Sequence, residues 1–332
     1  MSDRSTPLPR VQPPLAGPDV PGGEQIVAGE VVDVAVADAV AVAGTGDPGT
    51  GKPRSLWSDA WHDLRRRPIF LVSAALITGL LLVALFPGLF TNTDPKFCDL
   101  KYSDMGAADG HPFGCNRQGC DVYARTLYGA RPSIMVGLLT TLGAVLVGGL
   151  IGALAGFYGG FVDSVLSRVT DIFFAIPLVL GAIVFLSAFP NRNVWTVVLA
   201  LVVLGWTQIA RIMRGAVISV KEADFVVAAR ALGASDRRIL TRHILPNAVA
   251  PVIVVATISL GIYIVAEATL SFLGLGLPPD TVSWGGDISD AQLSLRTAPH
   301  VLLFPAGALS LTVLSFIMLG DAVRDALDPR LR

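Results

Sequence analysis

The chain has 332 residues with a formal net charge of −1, and 52% of the residues are hydrophobic while only 15% are charged. Soluble domains carry about 25% charged residues, so this composition excludes an ordinary soluble domain and indicates a membrane protein. We therefore expect an all-α polytopic membrane protein whose apolar runs form transmembrane helices.

The first 55 residues are rich in Pro, Gly, Ala and Val and poor in aromatic residues, which is typical of a disordered cytoplasmic tail. Within them GTGDPGTGKP, residues 44–53, approaches the phosphate-loop template GxxxxGK followed by Ser or Thr. Pro53 stands where that loop needs a hydroxyl, and it has no backbone N–H to donate. We therefore predict a flexible linker here and no nucleotide site.

Residues 56–68 form a predicted interfacial helix. Trp57, Trp61 and Leu64 recur at i, i+4 and i+7 on one face, and basic residues lie toward the lipid surface. The apolar run that follows starts too late and is too long for a signal-peptide core, so we expect no secretory signal.

Six uncharged runs are long enough to cross a membrane, since about 20 helical residues span a hydrocarbon core about 30 Å thick. The runs are residues 69–93, 132–162, 172–191, 193–210, 244–266 and 301–320. The second is too long for one straight span and is rich in glycine, so we expect one closely packed span with interfacial ends. The first helix, 69–93, thus precedes a core of five transmembrane helices over residues 132–322.

The distribution of Lys and Arg beside the spans predicts the orientation. Residues 211–243 hold seven Lys or Arg against three acids, whereas residues 277–300 hold one Arg against three Asp. We therefore expect residues 211–243 and both termini, including residues 323–332, to be cytoplasmic. The loop 94–131 is predicted to be extracytoplasmic.

All three cysteines, Cys98, Cys115 and Cys120, lie in this external loop, which indicates a disulfide in an oxidising compartment. Cys115 and Cys120 enclose a short loop that contains glycine, and we predict that they form the disulfide and leave Cys98 over. A metal site that includes His111 is the alternative, but the spacing matches no standard zinc pattern.

The loop 211–247 contains a predicted helix, a glycine turn and a second helix. Gly233 ends the first helix where a left-handed cap is favourable, and Ser235 caps the second, with Asp236 in its first turn. Pro246 marks the entry to the fifth span. Helical spacing places on one stripe the residues Phe225, Ala228, Ala229 and Leu232.

Small residues on that stripe allow a partner protein to approach the helix and hold it in a groove. An ordinary solvated loop is the simpler interpretation. A DNA-binding helix-turn-helix is a third, but tethering between two membrane spans argues against it, so we expect no nucleic-acid partner.

Two acids near the membrane are candidates for contact with a transport pathway or a partner. Asp171 follows Arg168 at i+3, where a paired surface charge is the simpler reading. Glu267 lies toward the outer end of the fifth span, where its side chain either faces the pathway or the binding protein or snorkels to the membrane interface. Pro177, Pro251 and Pro305 lie inside predicted spans, where each introduces a static kink or a hinge.

The segment VAARALGASDRRILTRHILP resembles the EAA loop of ATP-binding cassette importer permeases. Ala228, Ala229, Gly233, Leu245 and Pro246 match the pattern of that loop, while Val227 replaces its Glu and His243 its Ile. The missing Glu removes any ion pair that it makes with an ATPase.

Other segments resemble the C-type subunit of the dipeptide and oligopeptide permeases. These are HPFGCNRQGCDVYARTLYGARPSIMVG, EATLSFLGLGLPPDTVSWG and DALDPRLR. The subfamily has Thr and Arg where this chain has Cys115 and Cys120, a paired departure consistent with an added disulfide.

The resemblance implies a type I importer permease fold in a bacterial inner membrane, in contact with lipid. It implies four kinds of partner: a second, B-type permease, two ATPase subunits and an extracytoplasmic binding protein. ATP and magnesium then belong to the ATPases, and this chain has no catalytic residue, cofactor or metal of its own. The transported substrate is a dipeptide or oligopeptide, with nickel, haem or glutathione as alternatives.

In that family the helix over residues 225–235 docks into an ATPase. The implied coupling residues are Phe225, Ala228, Ala229, Arg230, Leu232, Gly233, Ala234, Ser235 and Pro246. An ion-coupled secondary transporter is the alternative from another class, but it calls for midplane carboxylates or broken inverted repeats that the sequence does not show.

Overall fold

The computed structural model describes residues 64–327, which are helical and contain no β-strand, only isolated bridges. The predicted tail 1–55, nearly all of the interfacial helix and residues 328–332 lie outside this range. The helices are α1 (Pro68–Leu85), α2 (Val122–Tyr158), α3 (Gly160–Phe174), α4 (Leu178–Ser187), α5 (Val194–Lys221), α6 (Asp224–Ala231), α7 (Asp236–Phe272), α8 (Trp284–Ala291) and α9 (His300–Leu327).

Five of these helices, α1, α2, α5, α7 and α9, are long and apolar enough to cross a membrane, and the bent pair α3–α4 makes six if it counts as one span. The contact between α2 and α5 shows that the pair does cross. The two helices pack in parallel, because Gly148 lies against Ala210 and Gly156 lies against Val217. Two parallel spans require the chain to return across the membrane between them, and α3–α4 is that return.

Both ends of the described chain agree with an even number of crossings. Arg67, just before α1, donates a hydrogen bond from Nη1 to Oδ2 of Asp325, near the end of α9, at 2.8 Å. The start of the first span and the end of the last therefore lie on the same face of the membrane.

The glycines of α2 allow the close packing that the composition predicts. A Cβ atom on Gly148 or Gly152 would collide with the backbone of α5, and one on Gly156 would lie 2.8 Å from the carbonyl oxygen of Arg214. Small residues at four-residue spacing let two backbones touch in the membrane. The helix itself is longer than the apolar run, because Asp121 caps it by accepting a hydrogen bond from the Ala124 N–H at 2.6 Å.

The third predicted span is broken. The axes of α3 and α4 differ in direction by 82°, and the turn between them contains Pro177, the N-cap residue of α4. Proline has no N–H and disfavours the helical conformation in the residue before it, here Ile176. Pro251 and Pro305, by contrast, lie inside continuous helices.

The disulfide prediction for the external loop is wrong. Cys98 pairs with Cys120, and Cys115 is a buried free thiol. An antiparallel bridge holds Cys98 opposite Cys120, with Cα atoms 4.1 Å apart, and Cys115 lies instead opposite Asp121. The short sequence separation that favoured Cys115 and Cys120 carries less weight than this tertiary pairing.

Candidate functional site

The helix predicted to contact a partner is α6, which follows α5 after a short turn. Val226 is completely buried and packs into a cluster that includes Val217, Ile239 and Ile244. The opposite side of α6 is open, with Phe225 47% and Leu232 89% exposed. One apolar residue thus anchors the helix to the chain.

The predicted stripe is largely exposed. Phe225, Ala228 and Leu232 are open to solvent, and Ala229 is half-buried beside them. Arg230 is also exposed, and so is Val227, which stands where the EAA pattern has Glu. An exposed apolar stripe on a short helix outside the spans is typical of a protein-binding surface.

Gly233 ends α6 as predicted, with a φ of +80°. Its N–H donates to the carbonyl of Arg230 at 3.0 Å, and the N–H of Ala234 donates to the carbonyl of Ala229 at 3.1 Å. These two bonds form a Schellman motif, which requires a left-handed residue at this position. The motif sets the direction in which the chain leaves α6.

The chain returns to the membrane through the start of α7. Ser235 occupies the N-cap position, but its side chain makes no capping hydrogen bond. A π-helical segment, Ile239–Ile244, follows, and both of its terminal isoleucines are completely buried. Pro246 lies two residues after the end of this segment and is exposed. A π-helical turn is frequent at functional sites, and here it joins the candidate surface to the fifth span.

Three contacts connect the end of α5 to α2 and α3. Lys221 donates from Nζ to the carbonyl of Phe157 at 2.5 Å. Arg214 makes two hydrogen bonds to Asp163, and Arg211 donates from Nη2 to Oδ1 of Asp171 at 2.7 Å. A cavity of about 580 Å3 adjoins these ion pairs.

Asp171 is therefore paired, but its main partner is not the residue that sequence spacing suggests. Arg168, three residues earlier, lies 3.8 Å away, whereas Arg211 of α5 is at 2.7 Å and also lies over the ring of Phe174. The sequence did not reveal this contact, because Arg211 and Asp171 are 40 positions apart.

Glu267 faces neither the pathway nor a partner in this conformation, contrary to the prediction. Its side chain is completely buried inside the chain, and Oε1 accepts a hydrogen bond from Oγ of Ser271 at 2.7 Å. Nearby, α8 packs on α7 so closely that a Cβ atom on Gly285 would lie 2.6 Å from the Cα of Ala268. Helix α8 covers this end of the span.

A buried ion pair that the sequence did not indicate joins Arg125 of α2 to Asp287 of α8. Arg125 donates from Nε and Nη2 to Oδ1 of Asp287. Burial raises the pKa of Asp287 to about 6, and the Arg125 charge only partly opposes this effect. Helix α8 lies in the acidic segment 278–292, and no sequence signal linked that segment to Arg125.

Two family descriptions match parts of the chain. Residues 148–332 match the family described as "Binding-protein-dependent transport system inner membrane component", and residues 55–108 match "N-terminal TM domain of oligopeptide transport permease C".

Three relatives resemble most of the chain. It is 37% identical over 294 residues to the oligopeptide transport system permease protein OppC of Bacillus subtilis (strain 168), covering 89% of this chain and 96% of that protein. It is 36% identical over 278 residues to the dipeptide transport system permease protein DppC of Alkalihalophilus pseudofirmus, covering 84% and 91%. It is 38% identical over 280 residues to the glutathione transport system permease protein GsiD of Salmonella typhimurium, covering 84% and 92%.

Among solved structures, an inward-facing conformation of the MetNI methionine ABC transporter matches with a TM-score of 0.51. The identity is 20%, and the match covers 61% of this chain and 96% of that one, so the likeness bears on the fold alone. The chain thus has the type I permease fold of ABC transporters, and it belongs to the family of binding-protein-dependent transport system inner membrane components.

Proposed function

We propose that this chain is a permease subunit of an ATP-driven importer of dipeptides or oligopeptides, and that α6 transmits ATPase movement to its spans. The observation that carries the proposal is the likeness to peptide permeases at 36–37% identity over 84–89% of the chain. The exposed stripe on α6, anchored by Val226, supports the coupling role.

The stripe suits an apolar cleft on an ATPase subunit. Phe225 and Leu232 present large apolar side chains at opposite ends of α6, and the small Ala228 between them leaves room for a partner backbone. A few well-packed residues near the centre of a contact carry most of its binding free energy. Because Val227 replaces Glu, we infer that docking here depends on shape and apolar burial rather than on an ion pair at that position.

Movement of α6 reaches the spans by two routes. On the N-terminal side, a short turn connects α6 to α5. Arg211 and Arg214 of α5 in turn form ion pairs with aspartates of α3. Downstream, the π-helical segment Ile239–Ile244 leads directly into the fifth span. An ATPase that pulls α6 therefore acts on α3, α5 and α7 together, as a change between inward-open and outward-open states requires.

We infer that the partners are a B-type second permease, two ATPase subunits, an extracytoplasmic binding protein and membrane lipid. The complex lies in a bacterial inner membrane with both termini cytoplasmic, because the Lys and Arg excess flanks α6. ATP and magnesium belong to the ATPases, and this chain supplies the pathway without catalytic residues of its own. Glutathione is the second candidate substrate, given the 38% identity to GsiD.

Uptake by the complete transporter in proteoliposomes tests the proposal. The vesicles contain both permeases and the ATPases, and the binding protein is loaded with peptide or with glutathione. We expect peptide accumulation with ATP and none with a proton gradient alone. Gradient-driven accumulation without ATP contradicts the transporter class, and uptake of glutathione in preference to peptides contradicts the substrate.

A further inference from the structure

A cavity of about 220 Å3 lies where the break between α3 and α4 meets α5 and α7. Thr207 and Gln208 contribute from the middle of α5, and Ser259 and Tyr263 contribute from the middle of the fifth span. The cavity therefore lies near mid-depth in the membrane. No charged residue lines it.

Two hydroxyl groups in this cavity lack partners. Thr207 is 5% exposed and Ser259 is 3% exposed, and neither hydroxyl has a hydrogen-bond partner within residues 64–327. Elsewhere in the same chain, Thr312 and Ser315 donate to the carbonyl four residues earlier. Neither hydroxyl oxygen is fully enclosed by protein, so both are open to the cavity and are available to bond a polar occupant.

Gln208 adds a third polar group, and it is exposed on the surface of this chain. A primary amide at mid-depth faces a water-filled path or a protein partner rather than lipid. The break between α3 and α4 also indicates that this region does not face lipid. Irregular backbone at membrane depth occurs only where it is buried in protein or lines a cavity.

The remaining wall of the cavity is held in place. Tyr263 donates its hydroxyl proton to the carbonyl of Gly205 at 2.8 Å, which joins the fifth span to α5. Phe173 and Phe174 of α3 line the same space with their aromatic rings. The cavity thus combines neutral donors and acceptors with apolar walls.

We propose that this cavity binds the peptide groups of the substrate during translocation, through Thr207, Gln208 and Ser259. The inference rests on the proposed function, since it concerns how a peptide is contacted on its way through the importer. Hydroxyl and amide groups both donate and accept, as the C=O and N–H of a peptide bond require. Because the site has no charge, it does not discriminate between peptide side chains by their charge.

The test uses Thr207→Val and Ser259→Ala in the complete reconstituted transporter. The matched control is Thr140→Val, because Thr140 is also fully buried with an unpaired hydroxyl but lies outside the cavity. ATP-driven uptake per ATP hydrolysed is measured for two peptides of equal length, one with neutral and one with charged side chains. Binding-protein-stimulated ATPase activity reports whether each variant is folded and assembled.

Each cavity variant is expected to lower peptide uptake per ATP by about threefold, equally for both peptides, with ATPase stimulation retained. Thr140→Val should transport as the wild type does. Unchanged uptake in both cavity variants, or a loss that depends on side-chain charge, overturns the inference. If the wild type itself shows no ATP-driven peptide uptake, the proposed function fails instead.

A labelling measurement does not depend on transport rates. Gln208→Cys is treated with a charged, membrane-impermeant thiol reagent, and Leu201→Cys, completely buried on the same helix, is the control. Labelling at position 208, slowed several-fold by peptide substrate during turnover, is expected. No labelling at position 208, or labelling that peptide leaves unchanged, contradicts the proposed site.

Discussion

Arg214 holds the carboxylate of Asp163 through two hydrogen bonds, 2.5 Å from Nε to Oδ1 and 2.7 Å from Nη2 to Oδ2. The pair joins α3 to α5 about two helical turns before α5 ends at Lys221. Since α6 begins almost directly after α5, this ion pair is a direct link between the candidate coupling helix and the broken span.

The first prediction concerns this link. We expect Arg214→Gln to retain ATPase activity but to lower peptide uptake per ATP several-fold, because movement of α5 no longer carries α3 with it. The pair is partly exposed, so stability should change by only about 1 kcal/mol. Arg168→Gln is the control, because Arg168 is 84% exposed and 3.8 Å from Asp171. An equal loss of peptide uptake per ATP in both variants would show that the Arg214–Asp163 pair does not couple α5 to α3.

Gly233 provides a test of the Schellman turn. Gly233→Val should uncouple ATP hydrolysis from uptake, because a β-branched residue is strained by about 1–2 kcal/mol at positive φ. The space around this position is open, so strain and not collision is the cause. Gly233→Asn should retain most of the uptake, since Asn tolerates this conformation. Normal coupling in Gly233→Val would contradict the placement of the turn.

The exposed stripe predicts a docking defect without loss of folding. We expect Leu232→Asp to weaken association with the ATPase subunits by about tenfold or more, because Leu232 is 89% exposed and a charge there opposes burial in a cleft. Co-purification of the ATPases measures the effect. Leu293→Asp, at a residue 75% exposed beyond α8, is the control and should leave association intact.

The structure of the loop at residues 94–131 predicts which of its three cysteines are oxidised and which is a free thiol. Mass spectrometry of the non-reduced protein should find Cys98 linked to Cys120 and Cys115 free. Burial, and next the nearby Asp121 charge, raise the pKa of the Cys115 thiol, so its alkylation in the folded protein should be slow at neutral pH. A peptide linking Cys115 to Cys120 would contradict the structure.

Asp287 predicts a pH dependence of stability. Its folded pKa of about 6 exceeds its usual value of 3.8, so the folded protein binds the proton more tightly than the unfolded chain. The contribution of the Asp287 proton to the free energy of unfolding is fully present below about pH 4. It is lost as the pH rises through about 6, by up to about 3 kcal/mol. The Tm of wild type relative to Asp287→Asn should therefore fall between pH 4 and pH 7. A pH-independent difference would contradict this.

Much of the architecture could be predicted because it depends on short-range chemistry. Apolar length identifies a span, since the bilayer sets the required number of residues. A glycine after a small-residue helix identifies a left-handed cap, as Gly233 shows. The stripe on α6 follows from helical spacing alone. Each of these properties belongs to a few consecutive residues, so the sequence carries them directly.

The pairing of residues that are distant in sequence depends on how the helices and the loop pack. Cys120 pairs with Cys98 rather than Cys115, Asp171 with Arg211 rather than Arg168, and Glu267 is enclosed by this chain rather than open to a pathway. Hydropathy alone does not locate the 82° break at Pro177, because the residues next to it, 172–176 and 178–186, are uncharged and mostly apolar. Apolar length and local spacing thus predicted most of the helices and spans and the turn at Gly233. Helix packing determined which of these residues pair. A contact between residues tens of positions apart depends on how the helices align, and no local sequence pattern shows it.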